Sequence, residues 1–277
     1  MKIAHPSAEP FFLATGRGGC FCLFHPAQGA CIGALVYVHP FAEEMNKTRR
    51  MAALQARALA ALGYAVLQID LHGCGDSDGE FGAARWEHWQ DDLGAACTWL
   101  AERCGGPVGL WGLRLGALLA LDYACSAQVA PARLVLWQPV HNGAAYLTQF
   151  LRLRLASDML GEAESGGGTA ALRRALAAGE SIEVSGYTLS PALADAIDRL
   201  DAATLVPPCP VDWFDLVATE ERPISPGALR VAQAWHGHAP VMHKVACPPF
   251  WSTQVIVESE ALIAATCAAM RERAHAA

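Results

Sequence analysis

Residues 109–116 read Gly-Leu-Trp-Gly-Leu-Arg-Leu-Gly. The apolar run Val108–Trp111 has strand character, and Leu115–Ser126 after it has helical composition. The frame Gly112-x-Arg114-x-Gly116 therefore describes a sharp strand-to-helix bend. Its spacing is that of the G-x-S-x-G nucleophile elbow, with arginine standing where serine would be.

Upstream of the bend, two short strand-like runs, Phe11–Thr15 and Cys20–Phe24, flank Gly16–Gly19, which suits a hairpin. Gly33–Val38 is a nearly continuous apolar run, as in strands covered on both faces of a parallel sheet. A helix is expected over 48–62, stopped by Gly63, then a strand over Tyr64–Leu71 and a helix over Trp86–Arg103. Downstream, Arg133–Val140 reads as a strand. Residues 143–205 break the rhythm with helical stretches, a loose Gly-rich segment at Glu162–Thr169 and one strand-like piece at Ile182–Thr188. The alternation resumes with strand Val211–Ala218, helix Pro226–Ala234, strand Val241–Ala246 and helix Gln254–Met270. Such a βαβα succession implies an α/β fold, doubly wound around a mostly parallel sheet. The expected organisation is a core over 1–142, an inserted lid over 143–205 and the rest of the core over 206–277.

The composition narrows the function classes. The 277 residues are 53% hydrophobic, enough for a sizeable core, and the net charge of −7 with no long basic run argues against nucleic-acid binding. No apolar run is long enough to span a bilayer, and Met1–Pro6 lacks the apolar region of a signal peptide, so a soluble, cytoplasmic protein is expected. The ten cysteines contain no C-x-x-C pair. They read as reduced thiols, and no metal or other cofactor is expected.

Three landmarks carry a resemblance. Val38-His39-Pro40-Phe41 ends a strand in a turn. Asp70-Leu71-His72-Gly73-Cys74-Gly75-Asp76-Ser77-Asp78-Gly79 has the pattern D-x-x-G-x-G-x-S-x-G. The bend at Arg114 follows. In this order they resemble the α/β-hydrolase superfamily over nearly the whole chain. The resemblance implies an eight-stranded sheet with helices on both faces, a lid after the sixth strand, and an oxyanion hole from the N–H of Leu115 with that of Phe41 or Ala42. Phe41-Ala42-Glu43-Glu44-Met45-Asn46-Lys47, taken with Gly112–Ala117, further resembles the hydrolase-like proteins of the exosortase A (PEP-CTERM) protein-sorting system, the second of two types. That implies a setting of protein sorting and exopolysaccharide production, with a protein partner there, and it supplies no substrate.

Arginine cannot do the work of serine, because its guanidinium stays protonated and has no lone pair for nucleophile or base. Counting back from Pro226 puts Arg222 at the position the superfamily gives its acid, with Glu221 beside it. The loop Cys247–Ser252, where the superfamily places its base, holds no histidine, and His236, His238 and His243 lie before or within the last strand. What the bend does offer is a cation at a helix N-terminus, which suits a carboxylate, a phosphate or an oxyanion. Two readings of Arg114 stand open: a receptor for an anionic ligand, or a plug paired with Glu43, Glu44 or Glu221. His39 is either an acid–base group or a cap on the turn before Pro40. Glu43 and Glu44 could act as a base, or pair with Arg114 or Lys47 and start a helix. Arg114, His39 and Glu221 are the candidate catalytic residues; Phe41, Ala42, Glu43, Glu44, Leu115 and Arg222 are the candidates for contact with a small molecule. The functions to be separated are a hydrolase or acyl-transfer enzyme of altered mechanism, a silent binding or scaffold protein, and an ordinary serine hydrolase whose nucleophile lies elsewhere.

Overall fold

The computed structural model describes residues 8–160 and 168–274. The start Met1–Pro6 and most of the Gly-rich segment Glu162–Thr169 lie outside the described residues.

The chain opens with a hairpin of β1 (Glu9–Thr15) and β2 (Gly18–His25), followed by β3 (Gly33–Val38), helix α1 (Glu43–Ala61) and β4 (Tyr64–Ile69). Helix α2 (Trp86–Cys104), β5 (Val108–Leu113), α3 (Leu115–Ser126) and β6 (Leu134–Trp137) complete the first part. Between β6 and the next strand of this sheet lie α4 (Gly143–Leu160), α5 (Gly168–Ala177), a small hairpin of β7 (Ile182–Val184) and β8 (Tyr187–Leu189), and α6 (Pro191–Asp198). The chain then adds β9 (Val211–Val217), α7 (Pro226–Ala234), β10 (Val241–Ala246) and α8 (Glu260–Ala274).

Eight strands form one sheet in the order β1-β2-β4-β3-β5-β6-β9-β10, in which β2 runs antiparallel to both its neighbours. Apolar residues alternate across it. Val36, Val38 and Leu110 pack on the face covered by Trp89 and Leu93 of α2 and Leu118 of α3. Leu35, Tyr37, Trp111 and Leu113 pack on the other, against Met51 and Leu59 of α1 and Leu262 of α8. The near-continuous apolar strands of the sequence are thus strands with two buried faces.

Four elements differ most from the sequence reading. Helix α1 starts at Glu43, five residues early, because two carboxylates in its first turn suit the positive end of the helix. Strand β6 is only four residues long, since Gln138 turns the chain out with φ of 42°. The piece expected as one strand at 182–188 is a hairpin, turned by Ser185 and Gly186 at φ of 52° and 84°. Helix α8 begins at Glu260, after an irregular stretch over 254–259.

The sheet positions the site. From β3 the chain crosses to β4 on one side, and β5 returns on the other side of β3. The crevice at the carboxyl ends of β3 and β5 is therefore a topological switch point, where α/β sheets hold their ligands. Val38 pairs with Gly112 in register, so the turn after β3 and the bend after β5 stand side by side.

Candidate functional site

The bend is as tight as its glycines suggest. Arg114 takes φ 56° and ψ −119°, a conformation unfavourable for a side-chain-bearing residue. It is held there because its N–H donates to Trp137 O at 3.0 Å and its C=O accepts from Val140 N at 3.2 Å. A Cβ on Gly116 would fall 2.2 Å from His39 O, and one on Gly112 would fall 2.5 Å from Ala117 Cα. Both glycines are thus required by close backbone packing. Ala42, which precedes α1, repeats the strained geometry at φ 51° and ψ −128°. The first N–H groups of α1 and α3, including that of Leu115, have no intrahelical acceptor. Strained backbone of this kind concentrates at functional sites.

The Arg114 side chain turns into a cleft of about 390 Å³, lined also by Phe41, Glu44, Tyr146, Phe150 and Trp251. Its guanidinium lies 5.6 Å from the Tyr146 ring centre and 5.1 Å from that of Trp251. Nε and Nη2 both reach Glu44 Oε1 at 3.4 Å. Burial pushes the Glu44 carboxyl above the usual carboxylate range, against the opposing pull of Arg114 and of the Tyr146 hydroxyl. Burial, aided by the Glu44 charge, pushes the Tyr146 phenol well up. Glu43 pairs instead with Lys47, one turn on, at 3.2 Å. Of the two outcomes open for the Glu pair, each carboxylate therefore takes a different cation.

Not every expected residue comes to this cleft. His39 is buried, and both ring nitrogens are engaged with backbone: Nδ1 with Pro40 O at 2.8 Å, and Nε2 as acceptor of the Leu71 N–H at 3.2 Å. Burial also lowers its proton affinity. A neutral ring with both nitrogens committed fastens two loops together, so the acid–base reading of His39 gives way to the structural one. Glu221 and Arg222 stand exposed in the turn after β9 and are not among the residues that line the Arg114 cleft. The Thr219 hydroxyl, bonded to the Glu221 carboxyl, holds that group below its usual range, and Arg222 N donates to Thr219 O at 3.1 Å. Their assignment to the site gives way for a plain reason: β9 ends at Val217, and both residues lie in the solvent-exposed turn that follows it. Among the three histidines, His236 and His238 are exposed before β10, and His243 within it bonds to Asp212 Oδ1 at 3.0 Å. That contact sits at the opening end of β9, with Arg133 from the residue before β6 on the same carboxylate at 2.8 Å, so it belongs to the opposite edge of the sheet.

Sequence reasoning missed Tyr146 and Trp251. Trp251 lies in the very loop read for its lack of histidine, and a loop following the last strand was the signal: an aromatic there can cover a cation at the bend. The buried carboxylate near the end of β9 was also missed. Asp215 accepts from Ser225 N at 2.7 Å and Ser225 Oγ at 2.9 Å, which anchors the start of α7. Ser77 is bonded to backbone both ways, accepting from Phe21 N and donating to Asp70 O, so its loop is a structural turn. Among the described residues no group of three His, Cys, Asp or Glu could hold a metal ion, and no helix is long and apolar enough to cross a membrane.

The family model described as serine aminopeptidase, S33, matches residues 30–193, a span that includes both the Ala42 turn and the Arg114 bend. No curated protein matches the chain. Among solved structures, the chain is similar to Est1E from Butyrivibrio proteoclasticus with ferulic acid bound, at TM-score 0.66 and 14% identity, covering 95% of this chain and 98% of that one. It is similar to a soluble variant of monoglyceride lipase from Saccharomyces cerevisiae in complex with a substrate analogue, at 0.65 and 13%, covering 99% and 97%. It is similar also to XC6422 from Xanthomonas campestris, an a/b serine hydrolase without lid, at 0.61 and 16%, covering 97% and 95%. At such identities the likeness shows the fold alone, and that fold is the α/β-hydrolase fold.

Proposed function

This chain belongs to the serine aminopeptidase S33 family, and on that premise we propose that it is a hydrolase or acyl-transfer enzyme of altered mechanism. Its substrate is an ester, thioester or amide with an anionic portion. Arg114 holds that portion or the developing oxyanion, assisted by the N–H groups of Leu115 and of Phe41 or Ala42. The nucleophile is water or an acceptor, because a guanidinium cannot be acylated in the serine position. The observation that carries the reading is the Arg114 guanidinium itself, set in the cleft at the strand-to-helix bend and flanked by Tyr146 and Trp251. Residues 143–205 form the lid: Tyr146 and Phe150 of α4 and Ser185 of the small hairpin all line the cleft. The stretch Phe41–Lys47 with Gly112–Ala117 supports the finer placement among the exosortase-associated hydrolase-like proteins, working in the cytoplasm beside sorting or polysaccharide machinery.

One observation favours a second reading. Glu44 already sits on Arg114, as it would in a silent binding or scaffold protein. The readings separate by treating the purified protein with a fluorophosphonate probe and a panel of short-chain esters and thioesters, alongside Arg114→Ala. Turnover without labelling, abolished in Arg114→Ala, is the expected result. Labelling of the unmodified protein would reveal an ordinary serine nucleophile and overturn both readings. Absence of turnover with retained ligand binding would leave the silent binder.

A further inference from the structure

Arg114 enters its cleft already paired, and the pair is loose. Two nitrogens share the single oxygen Glu44 Oε1 at 3.4 Å. A matched guanidinium–carboxylate fork gives each nitrogen its own oxygen at about 2.7–2.9 Å. The other oxygen, Glu44 Oε2, is buried and has no hydrogen-bond partner among the described residues. A buried carboxyl oxygen with no donor in hydrogen-bond geometry is a costly arrangement, and the Tyr146 hydroxyl only partly offsets it. The groups facing this carboxyl are Arg114 from the bend, Tyr146 from α4, and Lys47 from its own helix, which is shared with Glu43. The guanidinium is flanked by the rings of Tyr146 and Trp251, and Glu44 occupies its Nε–Nη2 edge. That edge is the one a planar carboxylate would use.

We propose that a ligand carboxylate displaces Glu44 from Arg114, taking both edge nitrogens, and that Glu44 picks up a proton from solvent as it is released. The ligand class is a monocarboxylate with an apolar or aromatic body, matched to the walls formed by Phe41, Phe150 and Leu153. The charge balances: the cleft gains one negative charge on the ligand and loses one on Glu44. Arg114 keeps a single anionic partner throughout, and the neutral Glu44 becomes an O–H donor beside the bound ligand, available to a leaving group. This exchange rests on the anion-binding reading above.

The test is calorimetric titration of the full chain with benzoate, between pH 5.5 and 7.5, in buffers of different ionisation heat. The unmodified protein is expected to take up about one proton per benzoate bound, its affinity falling by about tenfold per pH unit where the uptake is complete. Glu44→Gln should bind more tightly at neutral pH, with no proton uptake and no dependence on pH, and Arg114→Gln should not bind. Binding by the unmodified protein that is indifferent to pH and takes up no proton overturns the exchange and leaves the anion site standing. No benzoate binding by either the unmodified or the Glu44→Gln protein overturns both. If Glu44→Gln does not fold, the proton count on the unmodified protein decides alone.

Discussion

The guanidinium of Arg114 lies 5.1 Å from the centre of the Trp251 ring, joining the bend after β5 to the loop after β10. In the α/β-hydrolase superfamily these two places carry the nucleophile and its histidine. Here a cation and an aromatic face meet across the same gap.

Lysine should not replace this arginine. A lysine ammonium keeps the charge but loses the planar fork and the flat face presented to Tyr146 and Trp251. Arg114→Lys is expected to weaken carboxylate binding by about 1–2 kcal/mol, the scale of a partly desolvated cation–π contact. Titration of both proteins with benzoate checks it, and equal affinity would show that charge alone matters.

The bend itself should tolerate no side chain at Gly116. A methyl there would meet His39 O at 2.2 Å and Val38 O at 2.4 Å, both backbone atoms that cannot swing aside. Gly116→Ala is expected to cost about 3 kcal/mol or more, at the upper end of overpacking penalties. Urea unfolding with an unchanged slope would measure it; a midpoint like that of the unmodified protein would contradict the packing described.

Asp92 should make stability depend on pH. It is fully buried, its Oδ2 accepts from His72 N at 2.8 Å, and its Oδ1 lacks a partner among the described residues. Burial raises its proton affinity in the folded state. A raised value means that the folded protein binds the proton more tightly than the unfolded chain, so this group favours folding in acid. Its contribution fades as pH rises from the ordinary aspartate range through the elevated folded value. Asp92→Asn is therefore expected to unfold at higher denaturant than the unmodified protein at pH 8, with the advantage shrinking towards pH 4. Melts across that range test the sign.

At the opposite edge of the sheet, Asp212 receives Arg133 at 2.8 Å and His243 at 3.0 Å while almost wholly buried. Removing it leaves a guanidinium in a buried place without its counter-charge. Asp212→Ala is expected to destabilise by about 3–5 kcal/mol. Because this cluster is remote from the cleft, benzoate affinity measured below the melting transition should be unchanged.

Much of the fold was legible because its rules are local. Two-faced apolar strands such as Gly33–Val38 need only their own composition to be recognised, and the Arg114 bend needs only two glycines four residues apart. Element limits were less legible where one residue decides them. Gln138 shortens β6 by turning to positive φ, and Ser185-Gly186 folds an apparent single strand into a hairpin. Among the candidate site residues, Arg114, Glu44 and Phe41 share one cleft because the turns after β3 and β5 stand side by side. Glu221 and Arg222 fall outside the cleft because counting along a loop assumes its path, and both stand exposed in the turn after β9.

The amino-acid sequence by itself determined the sheet, its bend and the arginine at the bend, since strand burial, helix starts and tight glycine turns act over a few residues. Only the tertiary structure decided what surrounds that arginine. Glu44, Tyr146 and Trp251 come from α1, α4 and the loop after β10; the sequence offered Glu44 only as one of three possible partners, and no local pattern picks out Tyr146. They meet because the parallel sheet carries the ends of its strands to one edge, where a buried charge must find its counter-charge and its aromatic faces from whichever segments fold over it.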